Sequence, residues 1–191
     1  EEQMNAFEEI VKQFLESEGY WVKQSVKIHK VTADDKKKIS QRLSTMPRPE
    51  IDLVALNVKS NELLLVEVKS FLYSQGVYFG DDAIGEFKTD SWSAKRYRLF
   101  ANRNFQEIVT KRLKEQFLEE GLINNETKVN YALAVGKFYS SDAERDTKAH
   151  FSKKGWILYI PQQIKEKIRA LAEKGWEDNL VIMTAKLIER E

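Results

Sequence analysis

"LLLVEVKS", residues 63–70, sets four apolar residues in a row and then an acid and a base one residue apart, Glu67 and Lys69. The apolar run predicts a buried strand. Strand side chains alternate between faces, so Leu65, Glu67 and Lys69 share one face while Leu64, Val66 and Val68 share the other. An acid and a base on one face of the most buried strand have two readings. One is a surface ion pair on a half-exposed strand, and the other is a site where the charges do chemistry.

The preceding segment favours the second. "EIDLVAL" (50–56) reads as a strand and "NVKSN" as a turn, so 50–56 and 62–71 form a hairpin. Glu50, Asp52 and Val54 share a face, and pairing through the short turn brings Asp52 toward Glu67 and Lys69. Before the hairpin, 29–48 is a polar excursion containing "DDKKK" and "MPRP", read as a loop. Phe7, Ile10, Val11, Phe14 and Leu15 recur at helical spacing, which predicts a helix over 2–18 with Gly19 as its stop, followed by a strand over 20–28. Beyond the hairpin, 72–90 reads as irregular. A long helix is predicted over 91–119, strands over 129–139 and 155–161, and a helix opened by Pro161. The tail reads as a helix with Leu180, Met183, Leu187 and Ile188 on one face.

This order predicts an α/β fold in a single domain spanning 1–191. A mixed central β-sheet is flanked by helices: three strands form a meander, and later strands reached through helical crossovers lie parallel to a neighbour.

Composition narrows the chemistry. There are no cysteines, which excludes disulfides, thiolate nucleophiles and sulfur-bound metals. With two histidines, His29 and His150, a metal would be held by carboxylate oxygens, as suits Mg²⁺ or Mn²⁺. Charged residues are 32% of the chain yet the formal net charge is +1, so a basic face must be local. No apolar run spans a bilayer and the acidic, amphipathic N-terminus does not resemble a signal peptide, so no membrane partner and a cytoplasmic location are expected.

Two adjacent carboxylates repel unless a cation intervenes. Mg²⁺ accepts one or two carboxylates together with water and phosphate oxygens, and a neighbouring lysine can orient water or steady charge on a phosphate. Asp52, Glu67 and Lys69 therefore suit phosphodiester hydrolysis. On the first helix Glu9 points away from the apolar stripe while Glu8 lies at its edge, so Glu8 is the candidate third carboxylate. Singly, Asp52 would read as a turn or cap residue and Glu8 as a solvated helix position.

"PEID" (49–52) followed by "EVK" (67–69) resembles the PD-(D/E)xK nuclease superfamily, and "AFEEIVKQFLESEGYWV" resembles the first helix and strand of Mrr-type restriction enzymes and archaeal Holliday-junction resolvases. The resemblance covers roughly residues 5 to 71. It implies a restriction-endonuclease-like αβββαβ core with additional C-terminal helices. It further implies that Asp52, Glu67 and the Val68 carbonyl ligate Mg²⁺ (or Mn²⁺), that Lys69 is the catalytic lysine, and that Glu8, in an "FE" pair, is an accessory metal-site acid. Glu50 and Ile51 separate Pro49 from Asp52, where the superfamily often has proline directly before the aspartate, so Glu50 could replace or assist Asp52. Gln75 stands where some members place a polar residue after the lysine.

Phosphate binding needs cations near the site. The candidates are Lys36, Lys37, Lys38, Arg42 and Arg48 in the excursion, Lys95, Arg96 and Arg98 in "AKRYR", and Lys111, Arg112 and Lys114 further on. A solvated face is the alternative for each run. Trp92 and Tyr97 could stack on bases or belong to the core. The expected function is metal-dependent hydrolysis of nucleic acid, DNA in preference to RNA, by a restriction- or repair-type endonuclease. Cutting both strands would call for a homodimer or two encounters. The alternatives are a non-catalytic nucleic-acid-binding module and a subunit of a larger restriction or repair assembly.

Overall fold

The computed structural model describes residues 6–39, 48–78, 96–174 and 179–189. Helix α1 (Ala6–Ser17) leads into strand β1 (Trp21–Lys27). A short helix α2 (Ala33–Ile39) precedes β2 (Glu50–Asn57) and β3 (Glu62–Lys69). One helical turn α3 (Arg98–Ala101) and the longer α4 (Arg103–Glu119) cross to β4 (Lys128–Val135). Helix α5 (Ser141–Lys154) crosses to β5 (Ile157–Tyr159), and α6 (Pro161–Glu173) and α7 (Leu180–Ile188) close the chain. The five strands form one sheet in sequence order. β1, β2 and β3 pair antiparallel, whereas β3, β4 and β5 pair parallel. The sheet is therefore mixed and flanked by helices, as expected for a meander joined to helical crossovers.

The alternation in β3 distributes its side chains between two cores. Leu64, Val66 and Val68 pack with Val11, Phe14 and Leu15 of α1 and Ile164 of α6. Leu63 and Leu65 pack with Phe105, Val109, Leu113 and Phe117 of α4 and Phe151 of α5. A fully buried leucine contributes about 1.5–3 kcal/mol, and Leu63, Leu64 and Leu65 are all completely shielded. This explains why the central strand is apolar on both faces until Glu67.

Three expectations change. The excursion is not all loop: 33–39 forms α2, although it carries one buried residue, Ile39. Its support comes from α4, where Arg112 forks onto Asp35 at 2.7 Å, and Asn102 and Asn104 donate to the carbonyls of Ile39 and Lys38. Of the expected long helix, 91–95 lie outside the described residues, and the rest is two pieces, α3 and α4, divided at Asn102, whose extended backbone and side-chain acceptor for the Phe105 N–H start α4. In α7 the side chain turned to the core is Ile182, while Leu180, Met183, Leu187 and Ile188 are exposed. Among the described residues no helix is long and apolar enough to cross a membrane.

Candidate functional site

The site lies where β2 leaves β3. The β2–β3 ladder ends at the Leu53–Val66 pair, but β3 remains paired with β4 as far as Lys69 and Val135. At the same level β1 is irregular. Ser25 has a left-handed backbone, φ 49°, and falls between the Gln24–Leu53 and Val26–Ile51 pairs, opposite Asp52. Val22 packs in one core and Val26 in the other, so β1 turns over there. Past the end of the ladder, the Asp52 Oδ2 atom takes the place of a strand carbonyl and accepts the Val68 N–H at 2.7 Å. The Val68 carbonyl lies along the same strand edge as its N–H, facing the gap.

Glu67 and Lys69 project from the face of β3 that carries Leu65. The Lys69 Nζ lies 2.8 Å from Glu67 Oε1, and the two side chains are 21% and 12% exposed. Glu67 Oε2 is buried with no hydrogen-bond partner. Burial raises the Glu67 carboxyl above its ordinary range, against the pull of Lys69 and, more weakly, of the Leu99 N–H, and the Asp52 charge raises it further. Burial likewise raises Asp52, only partly offset by the Val68 N–H and Lys69, with Glu50 adding to the rise. Burial alone would lower the Lys69 ammonium, but the charges of Glu67 and Asp52 and the Glu67 hydrogen bond hold it above its ordinary value. One ammonium thus faces two shielded carboxylates, an arrangement with a deficit of positive charge.

A cavity of about 250 Å³ opens on this cluster. Asp52, Glu67 and Lys69 line it together with Arg48, Glu50, Arg96 and Arg98, with Leu99 and Phe105 among the apolar walls. Arg96 lies over the Phe71 ring at 4.1 Å and Arg98 over Phe105 at 5.6 Å, so each guanidinium is seated on an aromatic face. Phe71 has φ 46°, a conformation that costs a non-glycine residue roughly 1–3 kcal/mol. Tyr97, between the two arginines, is fully buried, and its hydroxyl accepts the Tyr78 N–H at 3.3 Å.

The structure therefore gathers Asp52, Glu67, Lys69, Arg48, Arg96 and Arg98, and puts Glu50 on the cavity wall. Glu8 lies on α1, outside the residues that line the cavity. The buried residues of α1 pack on the Leu64–Val66–Val68 face, while Glu67 and Lys69 project from the opposite face. Lys36, Lys37 and Lys38 sit on α2, with Lys37 and Lys38 exposed. Arg112 is committed to Asp35 and Glu115, and Lys114 donates to the Thr127 carbonyl, so neither offers a cation to the cavity; Lys111 is exposed on α4. Gln75 is exposed in the turn after β3 and does not line the cavity. Tyr97 belongs to the core rather than a stacking surface. Arg42, Lys95 and Trp92 lie outside the described residues.

No family model, curated protein or solved structure matches the chain.

What the site could hold follows from its donors. Among the described residues no group of three or more His, Cys, Asp or Glu side chains converges as a metal-binding set. A hard cation such as Mg²⁺ needs fewer protein ligands, since one or two carboxylates suffice when water and phosphate oxygens complete the shell. The buried, unpartnered Glu67 Oε2 and the shielded Asp52 carboxylate fit that smaller set. The residues a sequence reading could not assemble are the arginines, because Arg48 and the Arg96–Arg98 pair are separated by the whole hairpin and meet only through the fold.

Proposed function

We propose that the chain is a metal-dependent nuclease that hydrolyses phosphodiester bonds, with DNA as the preferred substrate. The observation that carries this reading is the buried Glu67 carboxylate, 2.8 Å from Lys69 Nζ and beside Asp52, in a cavity walled by Arg48, Arg96 and Arg98. Asp52, Glu67 and the Val68 carbonyl would hold Mg²⁺ or Mn²⁺. When bound, the ion supplies Lewis acidity toward a phosphoryl oxygen and lowers the pKa of bound water. The arginines draw a phosphate to the cavity, and the seats of Arg96 on Phe71 and Arg98 on Phe105 limit the rotamer freedom lost when those two engage it. Lys69, 2.8 Å from Glu67 Oε1, would orient water or donate to the negative charge that develops on the phosphate. The "PEID" and "EVK" resemblance points the same way and adds the superfamily as a proposal for this chain's relationship.

The test is nicking of supercoiled plasmid in Mg²⁺ or Mn²⁺ by the wild-type chain and by Lys69→Ala. Cleavage that disappears in the variant supports the assignment. A wild-type chain that binds DNA and never cuts it would establish the non-catalytic binding module instead.

A further inference from the structure

Beyond the ends of β3 and β4 the surface carries aromatic rings that the hydrolytic residues do not use. Tyr73, Tyr78 and Tyr139 are all exposed, and the Tyr78 and Tyr139 rings lie 5.6 Å apart at a tilt of 45°. Their backbones are fastened together. The Val77 N–H donates to the Lys137 carbonyl at 2.8 Å and the Tyr139 N–H donates to the Val77 carbonyl at 3.0 Å. Lys137 Nζ donates to the Ser74 carbonyl at 2.9 Å. Gly76 permits this approach: its φ is 105°, and a Cβ there would lie 2.5 Å from the Phe138 carbonyl carbon. Two rings on neighbouring strand extensions are thus presented outward on a backbone that cannot shift freely.

The pair is also tied to the charged cluster. The Tyr78 N–H donates to the hydroxyl of Tyr97. Tyr97 in turn feels the charges of Arg96, Lys69 and Glu67. The rings therefore begin one hydrogen bond away from a residue in electrostatic contact with the cavity. Exposed tyrosines scattered singly are ordinary on protein surfaces. A tethered pair whose backbone is bonded to Tyr97, the neighbour in sequence of the cavity residues Arg96 and Arg98, adds to those arginines the second part of a single-strand binding surface: cations for backbone phosphates and π-faces for bases.

We propose that Tyr78 and Tyr139 form a stacking platform for unpaired bases, so that the substrate is DNA with a single-stranded segment whose phosphate enters the cavity. This rests on the reading of that cavity as a phosphodiester site. A blunt duplex keeps its bases stacked on one another and offers the rings nothing, whereas a single strand or splayed end can use them.

The experiment is fluorescence anisotropy of the full chain in EDTA, with a short labelled oligothymidylate and with a labelled blunt duplex of equal length. The wild type is expected to bind the single strand more tightly. Tyr78→Ala and Tyr139→Ala should each weaken single-strand binding roughly tenfold while leaving duplex binding unchanged, by the scale of base–aromatic stacking. Tyr78→Phe and Tyr139→Phe, which keep the ring, should bind as the wild type does. Alanine variants that bind the single strand as well as the wild type, or that lose both ligands equally, would overturn the platform, as would tighter binding of the duplex. Circular dichroism checks folding, and if Tyr78→Ala does not fold, Tyr139→Ala decides. Plasmid nicking in Mn²⁺ is read in parallel. Ring-dependent single-strand binding without nicking sinks the hydrolytic reading and leaves the platform, and nicking with ring-independent binding sinks the platform alone.

Discussion

The Asp52 carboxylate accepts the backbone N–H of Val68 at 2.7 Å, so one side chain of β2 occupies the position that the next strand carbonyl would have held. Asp52 consequently has a structural role and a chemical one, and two substitutions separate them. Asp52→Asn keeps an acceptor for the Val68 N–H and removes a buried charge, so its denaturation midpoint should equal or exceed that of the wild type while metal-dependent cleavage is lost. Asp52→Ala leaves a shielded N–H unpaired and should cost about 1–3 kcal/mol. Urea unfolding curves for the two variants check this, and an asparagine variant as unstable as the alanine variant would contradict it.

Stability of the metal-free protein should depend on pH with a definite sign. Burial raises both Asp52 and Glu67 above their ordinary values. Groups with raised folded-state values contribute stability that is fully present below the ordinary carboxylate range and is lost as pH rises through the raised values. Thermal melts in EDTA should therefore show these two groups favouring the folded state more at mildly acidic pH than at neutral pH. Mn²⁺ should cancel that loss at neutral pH, adding about 2.7 kcal/mol at a hundredfold excess over its dissociation constant. Glu67→Gln should abolish the Mn²⁺ increment, and an increment that survives would place the ion elsewhere.

Lys69 is the cation shared by two shielded carboxylates, so its removal should affect more than turnover. Lys69→Met leaves both acids without compensation and should destabilise the fold by about 3 kcal/mol near neutral pH, on the scale of broken buried ion pairs. Much of that cost should vanish in the Lys69→Met/Glu67→Gln double variant. Calorimetric unfolding of the single and double variants measures it, and strictly additive losses would argue against the coupling.

The arginines and the α2 lysines should differ in how they bind nucleic acid. Replacing Arg48, Arg96 or Arg98 by alanine removes a cavity cation and should lower the slope of log affinity against log salt by about 0.7–0.9 per lost phosphate contact. Charge reversal at Lys36, Lys37 and Lys38 together should also weaken DNA binding and flatten its salt dependence if α2 touches the sugar–phosphate backbone. Unchanged binding after the triple reversal would restrict the interface to the cavity.

Gly136 abuts the chain just beyond the lysine. Its N–H donates to the Lys69 carbonyl at 2.9 Å, and a Cβ there would fall 2.4 Å from the Ser70 carbonyl oxygen. Gly136→Ala should therefore push β3 and β4 apart behind Lys69, costing about 1–3 kcal/mol as other overpacked sites do and slowing cleavage more than it weakens DNA binding. Melting temperature and single-turnover rates on the same variant would show both effects.

Parts of this arrangement are legible in the sequence for a physical reason. The hairpin can be read because two continuous apolar runs joined by a short turn fix register locally, and register alone sets Asp52 beside Glu67 and Lys69. The face of a helix that meets the sheet is a tertiary choice. Periodicity finds α1 and α7, but it does not tell that the α1 stripe packs on the Leu64–Val66–Val68 face, or that Ile182 rather than Leu187 turns inward. Helix α2 carries little apolar signal because Arg112, Asn102 and Asn104 hold it from another element. Asn102 marks the break before α4 as a cap residue, a signal available in the chain and outweighed in a reading based on helical spacing.

The parting of β2 from β3 opens the sheet at its interior rather than along its border. Main-chain polar groups are thereby offered to a ligand without lengthening either outermost strand, where a like protein could add itself and start an aggregate. A substitution that let the two strands zip closed past Leu53 and Val66 would strengthen the sheet and, by the same act, seal the mouth of the cavity.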